Sequence, residues 1–121
     1  GDRAAVRASL ESADVLLSCA AAGVQAVSAG DLACARQLRV AADVNAVPPA
    51  GIDGVDVMDR GAPLPGLPGA VGIGALAIGN VKYQTQQQLL RRMHEAGTPQ
   101  VLSFREAFEL ARQLLSAPVA G

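Results

Sequence analysis

The sequence has few aromatic residues, cysteines and histidines. Its 121 residues include no tryptophan, one tyrosine, two phenylalanines, two cysteines and one histidine, His94. Modules that bind single-stranded nucleic acid stack bases on aromatic side chains, so the composition argues against that function. Cys19 and Cys34 form no CxxC motif, and no acidic cluster accompanies His94. We therefore expect reduced thiols and no metal site.

The sequence also has no large excess of charge of either sign and no long apolar run. Ten basic and eleven acidic residues give a net charge of −1, without a basic patch that would attract a polyanion. The apolar run Val71 to Ile78 is far shorter than a membrane span. The start, Gly1-Asp2-Arg3, has no apolar signal core. We expect a cytoplasmic protein that binds neither nucleic acid nor a membrane.

Half of the residues are hydrophobic, and three apolar runs stand out, near residues 15–20, 38–43 and 70–76. Unbroken runs of this length are typical of parallel strands that are buried on both faces. Because segments with helical spacing separate them, we predict an α/β fold with a doubly wound, Rossmann-like parallel sheet. The length suits one domain, residues 1–121, and the tail at 117–121 should fray.

The helices and the segment between the second and third runs are less regular. Asp2 and Asn80 are the predicted N-caps of the first helix and of a long helix with Lys82 in its first turn. A short helix is expected around residues 31–36, and Ser103 with Glu106 forms a capping box. Residues 45–69 are rich in proline and glycine, and we interpret them as an ordered excursion with an extended piece at 55–58.

The residues after the three predicted strands are small or polar. These segments are 18–23, 43–49 and 74–82. Ligands of open parallel sheets bind outside the carboxyl ends of the strands, so the pattern favours a nucleotide site, although ordinary loop geometry explains it equally well. Asp43 and Asn45 accordingly have two interpretations that are compatible: they bond backbone amides to hold the turn, or they face a ligand.

A formal G-x-G-x-x-A match begins at Gly72, but we do not interpret it as a pyrophosphate loop. That loop belongs to a first strand–helix turn, with an acidic residue about twenty positions later at the end of a second strand. Here Glu95 and Glu106 lie in predicted helices. The glycines instead indicate that this backbone passes close to a ligand or to another strand.

Two blocks, Ala41 to Asp56 and Gly74 to Lys82, resemble the bacterial NAD(P)-dependent methylene-tetrahydromethanopterin dehydrogenases. The first contains Asp-x-Asn-Ala-x-Pro-Pro-x-Gly-Ile and the second reads Gly-Ala-Leu-Ala-Ile-Gly-Asn-Val-Lys. The resemblance runs from about Ala13 to Leu115, and Tyr83-Gln84-Thr85-Gln86 is closer to the tetrahydromethanopterin-specific members. The resemblance implies hydride transfer from methylene-tetrahydromethanopterin to NADP or NAD, in the one-carbon metabolism of methylotrophy.

The resemblance also implies roles for single residues. Lys82 matches the active-site lysine of the family. The implied cofactor-binding residues are Ser18, Cys19, Ala20 and Gly23 on the cofactor side, and Asp43, Asn45, Gly74, Ala75, Ile78 and Gly79 near the nicotinamide.

Compared with the family, the sequence has only the back half of the sheet. The first half, with the true glycine fingerprint, is missing from this chain, so we expect it to be inactive alone. The alternatives are a methylene-tetrahydrofolate dehydrogenase/cyclohydrolase and a non-catalytic fragment that keeps the fold. The edge of the first strand would lack a neighbour, which predicts a homo-oligomer formed through residues 15–20.

Overall fold

The computed structural model describes residues 2–117 and has two compact units, one that ends at Ile78 and one that begins at Gly79. The unit boundary falls inside the longest helix. In chain order the elements are α1 (Arg3–Leu10), β1 (Val15–Ser18), α2 (Ala29–Leu32), β2 (Val40–Asp43), β3 (Arg60–Pro63), β4 (Val71–Ile73), α3 (Ala75–Glu95) and α4 (Phe104–Ser116).

The sheet of the first unit has the strand order β1-β2-β4-β3. β1 pairs in parallel with β2, and β2 with β4, so that Val15, Val40 and Val71 lie side by side. The predicted α/β fold is confirmed, because this mostly parallel sheet with helices is a partial Rossmann-like arrangement. β1 is an edge strand, as expected, and Leu17 at this edge is 69% exposed. Association of two copies through it remains a prediction.

The core of the first unit covers one face of the sheet. Ala41 of β2 and Ile52 are completely buried, and Val27 pairs with Ile52 in an isolated parallel bridge. The small side chain of Ala41 lets α1, α2 and the segment after β2 pack closely on the sheet. The buried hydrophobic residues of this cluster are Leu10, Val27, Leu32, Ala35, Leu38, Ala41, Ile52, Val55, Leu64 and Ala70.

The predicted short helix lies earlier in the chain and is shorter than expected. α2 begins after Ser28, because Ser28 and Asp31 form a capping box that fixes its start. Asp31 is completely buried and is paired with Arg3 and with Nε of Arg7, the latter at 2.9 Å, which ties α2 to α1. The hydrogen bond from Arg7, followed by those from Ser28, holds the pKa of Asp31 far below its ordinary value.

The extended piece predicted at 55–58 is wrong, and the sheet instead gains an antiparallel edge strand, β3, at Arg60–Pro63. This strand has no alternating apolar pattern, so it could not be located by hydrophobic periodicity. The register shifts between Arg60 and Ala62, where Gly61 has a φ of 88°. A bulge with glycine and a terminal proline are both typical of an edge strand.

Asn80 does not cap the long helix, because α3 begins five residues earlier, at Ala75. The turn before it is made by Gly74, whose amide donates to the carbonyl of Asp59 at 2.9 Å. Lys82 is therefore the eighth residue of α3 and is exposed. The earlier start shows that β4 leads almost directly into the helix.

The second unit contains the end of α3 and the whole of α4. α3 ends at Glu95, and Gly97 follows with a φ of 69°, as is usual just after a helix. Ser103 and Glu106 form the expected capping box, and the hydrogen bonds from Ser103 lower the pKa of Glu106. Ala117 is the C-cap of α4, and residues 118–121 of the tail predicted to fray lie outside the described residues.

Candidate site at the carboxyl ends of the parallel strands

The carboxyl ends of the three parallel strands lie at one edge of the sheet. Ser18, the last residue of β1, is the register partner of Asp43, the last residue of β2. Ala42 is in turn the register partner of Ile73, which precedes Gly74. The convergence predicted for these strand ends is thus confirmed within the first unit, and two loops leave the sheet there. We name them the first loop (residues 19–26) and the second loop (residues 44–51).

The carboxylate of Asp43 organises the second loop. Oδ1 accepts a hydrogen bond from the amide of Asn45 at 3.0 Å, and Oδ2 accepts from the amides of Gly51 at 2.7 Å and Ile52 at 3.2 Å. The residue is 2% exposed. Because both ends of the loop donate to one carboxylate, Asp43 closes the loop on itself, and the buried charge is compensated by three amides.

The side chain of Asn45 fixes the interior of the same loop. Its Oδ1 accepts from the amide of Val47 at 2.9 Å, and its Nδ2 donates to the carbonyl of Pro49 at 3.0 Å. The peptide bond between Pro48 and Pro49 is cis. The prediction that Asp43 and Asn45 hold this turn is therefore confirmed, whereas their contact with a ligand remains a prediction.

The first loop has no comparable side-chain bonds of its own among the described residues. Its polar contacts use the backbone: the amides of Ala26 and Val27 both donate to the carbonyl of Gly51, at 2.8 and 3.0 Å. Gly23 has a φ of 73°, and a Cβ placed there would lie 3.5 Å from the carbonyl oxygen of Pro48. The first loop thus rests on the second. Cys19 is exposed and Ala20 is half-buried, so small groups face outward beside the strand end.

Ser18, Asp43 and Gly51 meet beneath the second loop. A Cβ on Gly51 would lie 2.7 Å from Oδ1 of Asp43 and would overlap with Oγ of Ser18. The hydroxyl of Ser18 is buried and has no hydrogen-bond partner. Gly51 is the glycine of the Asp-x-Asn-Ala-x-Pro-Pro-x-Gly-Ile block, but no role in the site was expected for it. Only glycine fits at this junction without displacing its neighbours.

The turn from β4 into α3 is filled by the protein itself. A Cβ on Gly74 would overlap with the carbonyl of Asp56 and lie 2.5 Å from the carbonyl of Val57. The same Val57 carbonyl accepts the amide of Leu76, in the first turn of α3, at 2.9 Å. The expected close approach at this glycine is confirmed, and the neighbour is another part of the chain. These contacts support the conclusion that the G-x-G-x-x-A match is not a pyrophosphate loop.

The remaining predicted site residues all lie on α3. Ala75 and Ile78 belong to its first turn, in the first unit, while Gly79 and Lys82 belong to the second unit. The role that the resemblance implies for each of these residues remains a prediction. Within residues 2–117, no group of three or more His, Cys, Asp or Glu side chains is arranged to hold a metal ion, and no helix is long and apolar enough to cross a membrane.

Comparison with known proteins agrees with the resemblance seen in the two sequence blocks. No protein-family model matches the chain. Over 108 residues the chain is 56% identical to the NAD(P)-dependent methylenetetrahydromethanopterin dehydrogenase of Methylorubrum extorquens strain AM1. The match covers 89% of this chain and 36% of that relative, so the chain spans about a third of the relative's length. The predicted resemblance is confirmed: over most of its length, this chain is similar to part of an NAD(P)-dependent methylenetetrahydromethanopterin dehydrogenase.

Proposed function

We propose that the chain forms part of an NAD(P)-dependent methylene-tetrahydromethanopterin dehydrogenase. The observation that carries the proposal is the 56% identity over 89% of the chain to an enzyme with that name. The fold supports it, because three parallel strands end at one edge in the small or polar residues Ser18, Asp43 and Gly74. This edge is where open parallel sheets bind nucleotides.

The proposed reaction moves a hydride, with both electrons of the C–H bond, from the methylene carbon to the nicotinamide ring. The products are the methenyl cation of the pterin and NADPH or NADH. The cofactor supplies the hydride chemistry, and the protein orients the two rings. Cys19, Ala20 and Gly23 fit such a role because their small side chains allow a bulky ligand to approach the strand end. We assign to this chain only the nicotinamide side of the cofactor, and not the pocket for its adenosine half.

Lys82 is proposed as the catalytic-site lysine, on its position in the Gly74 to Lys82 block. Its ammonium group would destabilise the cation that forms at the methenyl carbon, so direct electrostatic stabilisation is excluded as its role. We propose that it binds a polar group of the pterin ring system. Lys82 is exposed on α3, which leaves its ammonium group free to meet a substrate.

The wider setting of the activity is also a proposal. We propose NADP or NAD as cofactor, methylene-tetrahydromethanopterin as substrate, and a place in cytoplasmic one-carbon oxidation during methylotrophy. We further propose that the chain by itself forms a homo-oligomer through the edge of β1, since Val15 and Leu17 are 56% and 69% exposed on this strand. In the whole enzyme we expect this edge to pair with the rest of the sheet instead.

The direct test is a chimera of the Methylorubrum relative in which this chain replaces the matching segment. We expect it to reduce NADP⁺ or NAD⁺ with methylene-tetrahydromethanopterin and to turn over methylene-tetrahydrofolate much more slowly. A chimera that is folded and binds nucleotide but reduces neither cofactor with the pterin would contradict the proposal. Preference for the folate substrate would instead assign the chain to the folate enzymes.

The role of Lys82 is tested by Lys82→Ala in the same chimera. We expect the turnover to fall by about 10²-fold, because the bound pterin loses its orientation, while the melting temperature changes little, because alanine suits an exposed helical position. Arg91→Ala, an exposed cation further along α3, is the matched control and should keep the parental rate. Parental turnover of Lys82→Ala would remove this residue from the site.

A further inference from the structure

We propose that Asp43 and Asn45 are positioning residues, which preform the second loop for the cofactor and do not touch it. The inference rests on the proposed function and revises the roles that the resemblance implies for these two residues. It follows from where their polar atoms point and from what the loop leaves exposed.

The polar atoms of both side chains are engaged inside the loop. The two oxygens of Asp43 accept three backbone amides, at the beginning and at the end of the loop. Asn45 uses its oxygen for Val47 and its amino group for Pro49. A cofactor that displaced one of these bonds would leave a backbone amide or carbonyl of the loop without its partner, at a cost in free energy.

The burial of the two side chains independently indicates that they face the inside of the loop. Asp43 and Asn45 are 2% and 5% exposed, whereas Val44 and Val47 of the same loop are 50% and 51% exposed. The polar side chains therefore form the inner side of the loop, and valines with the backbone form its outer side. The face of a flat ring such as the nicotinamide can pack against these valines, and the polar residues fix where the outer surface lies.

Gly51 makes the arrangement rigid. Its amide donates to Asp43, its carbonyl accepts the amides of Ala26 and Val27, and its Cα lies against the hydroxyl of Ser18. The end of the second loop is thus bound to the carboxylate on one side and to the first loop on the other. A change at Asp43 is transmitted to both loops through this one residue.

The test compares Asp43→Asn with Asp53→Asn. Asp53 is a matched control, because its Oδ2 also accepts a backbone amide, that of Ala29 at 3.2 Å, outside the second loop. In Asp43→Asn an NH₂ group replaces one oxygen and must face an amide donor. Measured on the chain, amide exchange at Asn45, Gly51 and Ile52 should accelerate in Asp43→Asn and stay parental in Asp53→Asn.

The functional readout is made on the chimera with NADP⁺ as the probe. Asp43→Asn should raise both the dissociation constant and the KM for NADP⁺ by about tenfold. The kcat at saturating NADP⁺ should stay within about twofold of the parent. Asn45→Asp keeps the oxygen that accepts Val47 and should recover part of the affinity lost in Asn45→Ala.

Two results would overturn the inference. Unchanged exchange at the three amides in Asp43→Asn would show that the carboxylate does not hold the loop. A large fall in kcat with unchanged affinity would show that Asp43 acts on the reacting atoms. If the parent chimera binds NADP⁺ but has no turnover, the proposed reaction fails, and the dissociation constants with the exchange rates still decide the positioning role.

Discussion

The two loops at the carboxyl edge solve the same structural problem in different ways. The second loop is held by its own side chains, through the Asp43 and Asn45 bonds, and turns back with two consecutive prolines. The first loop consists mainly of small residues and is bound through backbone groups to Gly51. A loop with polar side chains can be a scaffold, whereas a loop of small residues depends on its neighbour and leaves space beside itself.

The two loops would have different roles in the proposed site. The order of the second loop is built in by the sequence Asp-Val-Asn-Ala-Val-Pro-Pro, so a ligand does not have to induce it. The first loop, with Cys19, Ala20 and Gly23, has few atoms that obstruct an approach to the sheet. In such a site the second loop is already ordered and the first loop leaves space for the ligand. Binding then costs less conformational entropy.

The largest effect on stability should come from Gly51→Ala, because Gly51 lies where the two loops contact each other. The added methyl group would overlap with Ser18 and lie 2.7 Å from Asp43, and overpacking of this kind costs about 1–3 kcal/mol. Gly30→Ala is the control, since a Cβ there would lie 3.8 Å from the hydroxyl of Ser28. Denaturant unfolding measures the free energy of unfolding of both variants. Equal stability of the two would contradict the tight junction, and the pair Gly51→Ala/Ser18→Ala should recover part of the loss.

A somewhat smaller effect is expected from Asn45→Ala, which breaks the second loop alone. Loss of its bonds to Val47 and Pro49 should lower the free energy of unfolding by about 1–2 kcal/mol. Cys19→Ala provides the comparison in the first loop, and it should change stability by less than about 0.5 kcal/mol, as is usual for an exposed side chain. If the two variants are equally stable, side-chain bonding does not distinguish the loops.

The start of α2, which follows the first loop, adds a dependence on pH. Since pairing with Arg7 and Ser28 lowers the pKa of Asp31 in the folded state, the unfolded chain takes up the proton more readily as the pH falls. The stabilisation is therefore complete above the ordinary pKa of aspartate, about 3.9, and is lost progressively below it. Unfolding curves between neutral and acidic pH should show this decline, and Asp31→Asn should flatten it. An unchanged decline in Asp31→Asn would assign it to other carboxylates.

The smallest expected effect lies outside both loops, at Gly79 in α3. This glycine is helical and a Cβ there would meet no atom within 4 Å, so Gly79→Ala should stabilise the chain by about 0.5–1 kcal/mol. If Gly79 also lies close to the cofactor, as the resemblance implies, the same variant of the chimera should bind NADP⁺ more weakly. A gain in stability without a loss of affinity would remove Gly79 from the proposed site.

Sequence reasoning succeeded where local chemistry decides the structure. The apolar runs located β1, β2 and β4 to within a few residues, and the polar pair Asp43 and Asn45 was correctly interpreted as holding a turn. These features depend on residues close together in the chain, so their pattern is visible in one sequence. The capping box of α4 belongs to the same class.

The errors occurred where distant segments decide the structure. α3 begins at Ala75 because Gly74 and Leu76 bond to Asp59 and Val57, and no local cap at Asn80 competes with those contacts. The pairing of β3 with β4 rests on backbone bonds and a bulge, which leave no periodic pattern in side chains. Glycine is needed at position 51 because Ser18, more than thirty residues away, and Asp43 leave no room for a side chain, and this three-residue contact cannot be inferred from the residues next to Gly51.

The most direct test of the account is hydrogen exchange of the chimera with and without saturating NADP⁺. We predict that bound NADP⁺ slows exchange at the carboxyl edge, in residues 19–23, 44–50 and 74–79, and leaves exchange at the amino ends of β1 and β2, near Asp14 and Arg39, unchanged. NADP⁺ binding that slows exchange only away from these three segments would contradict the proposed site.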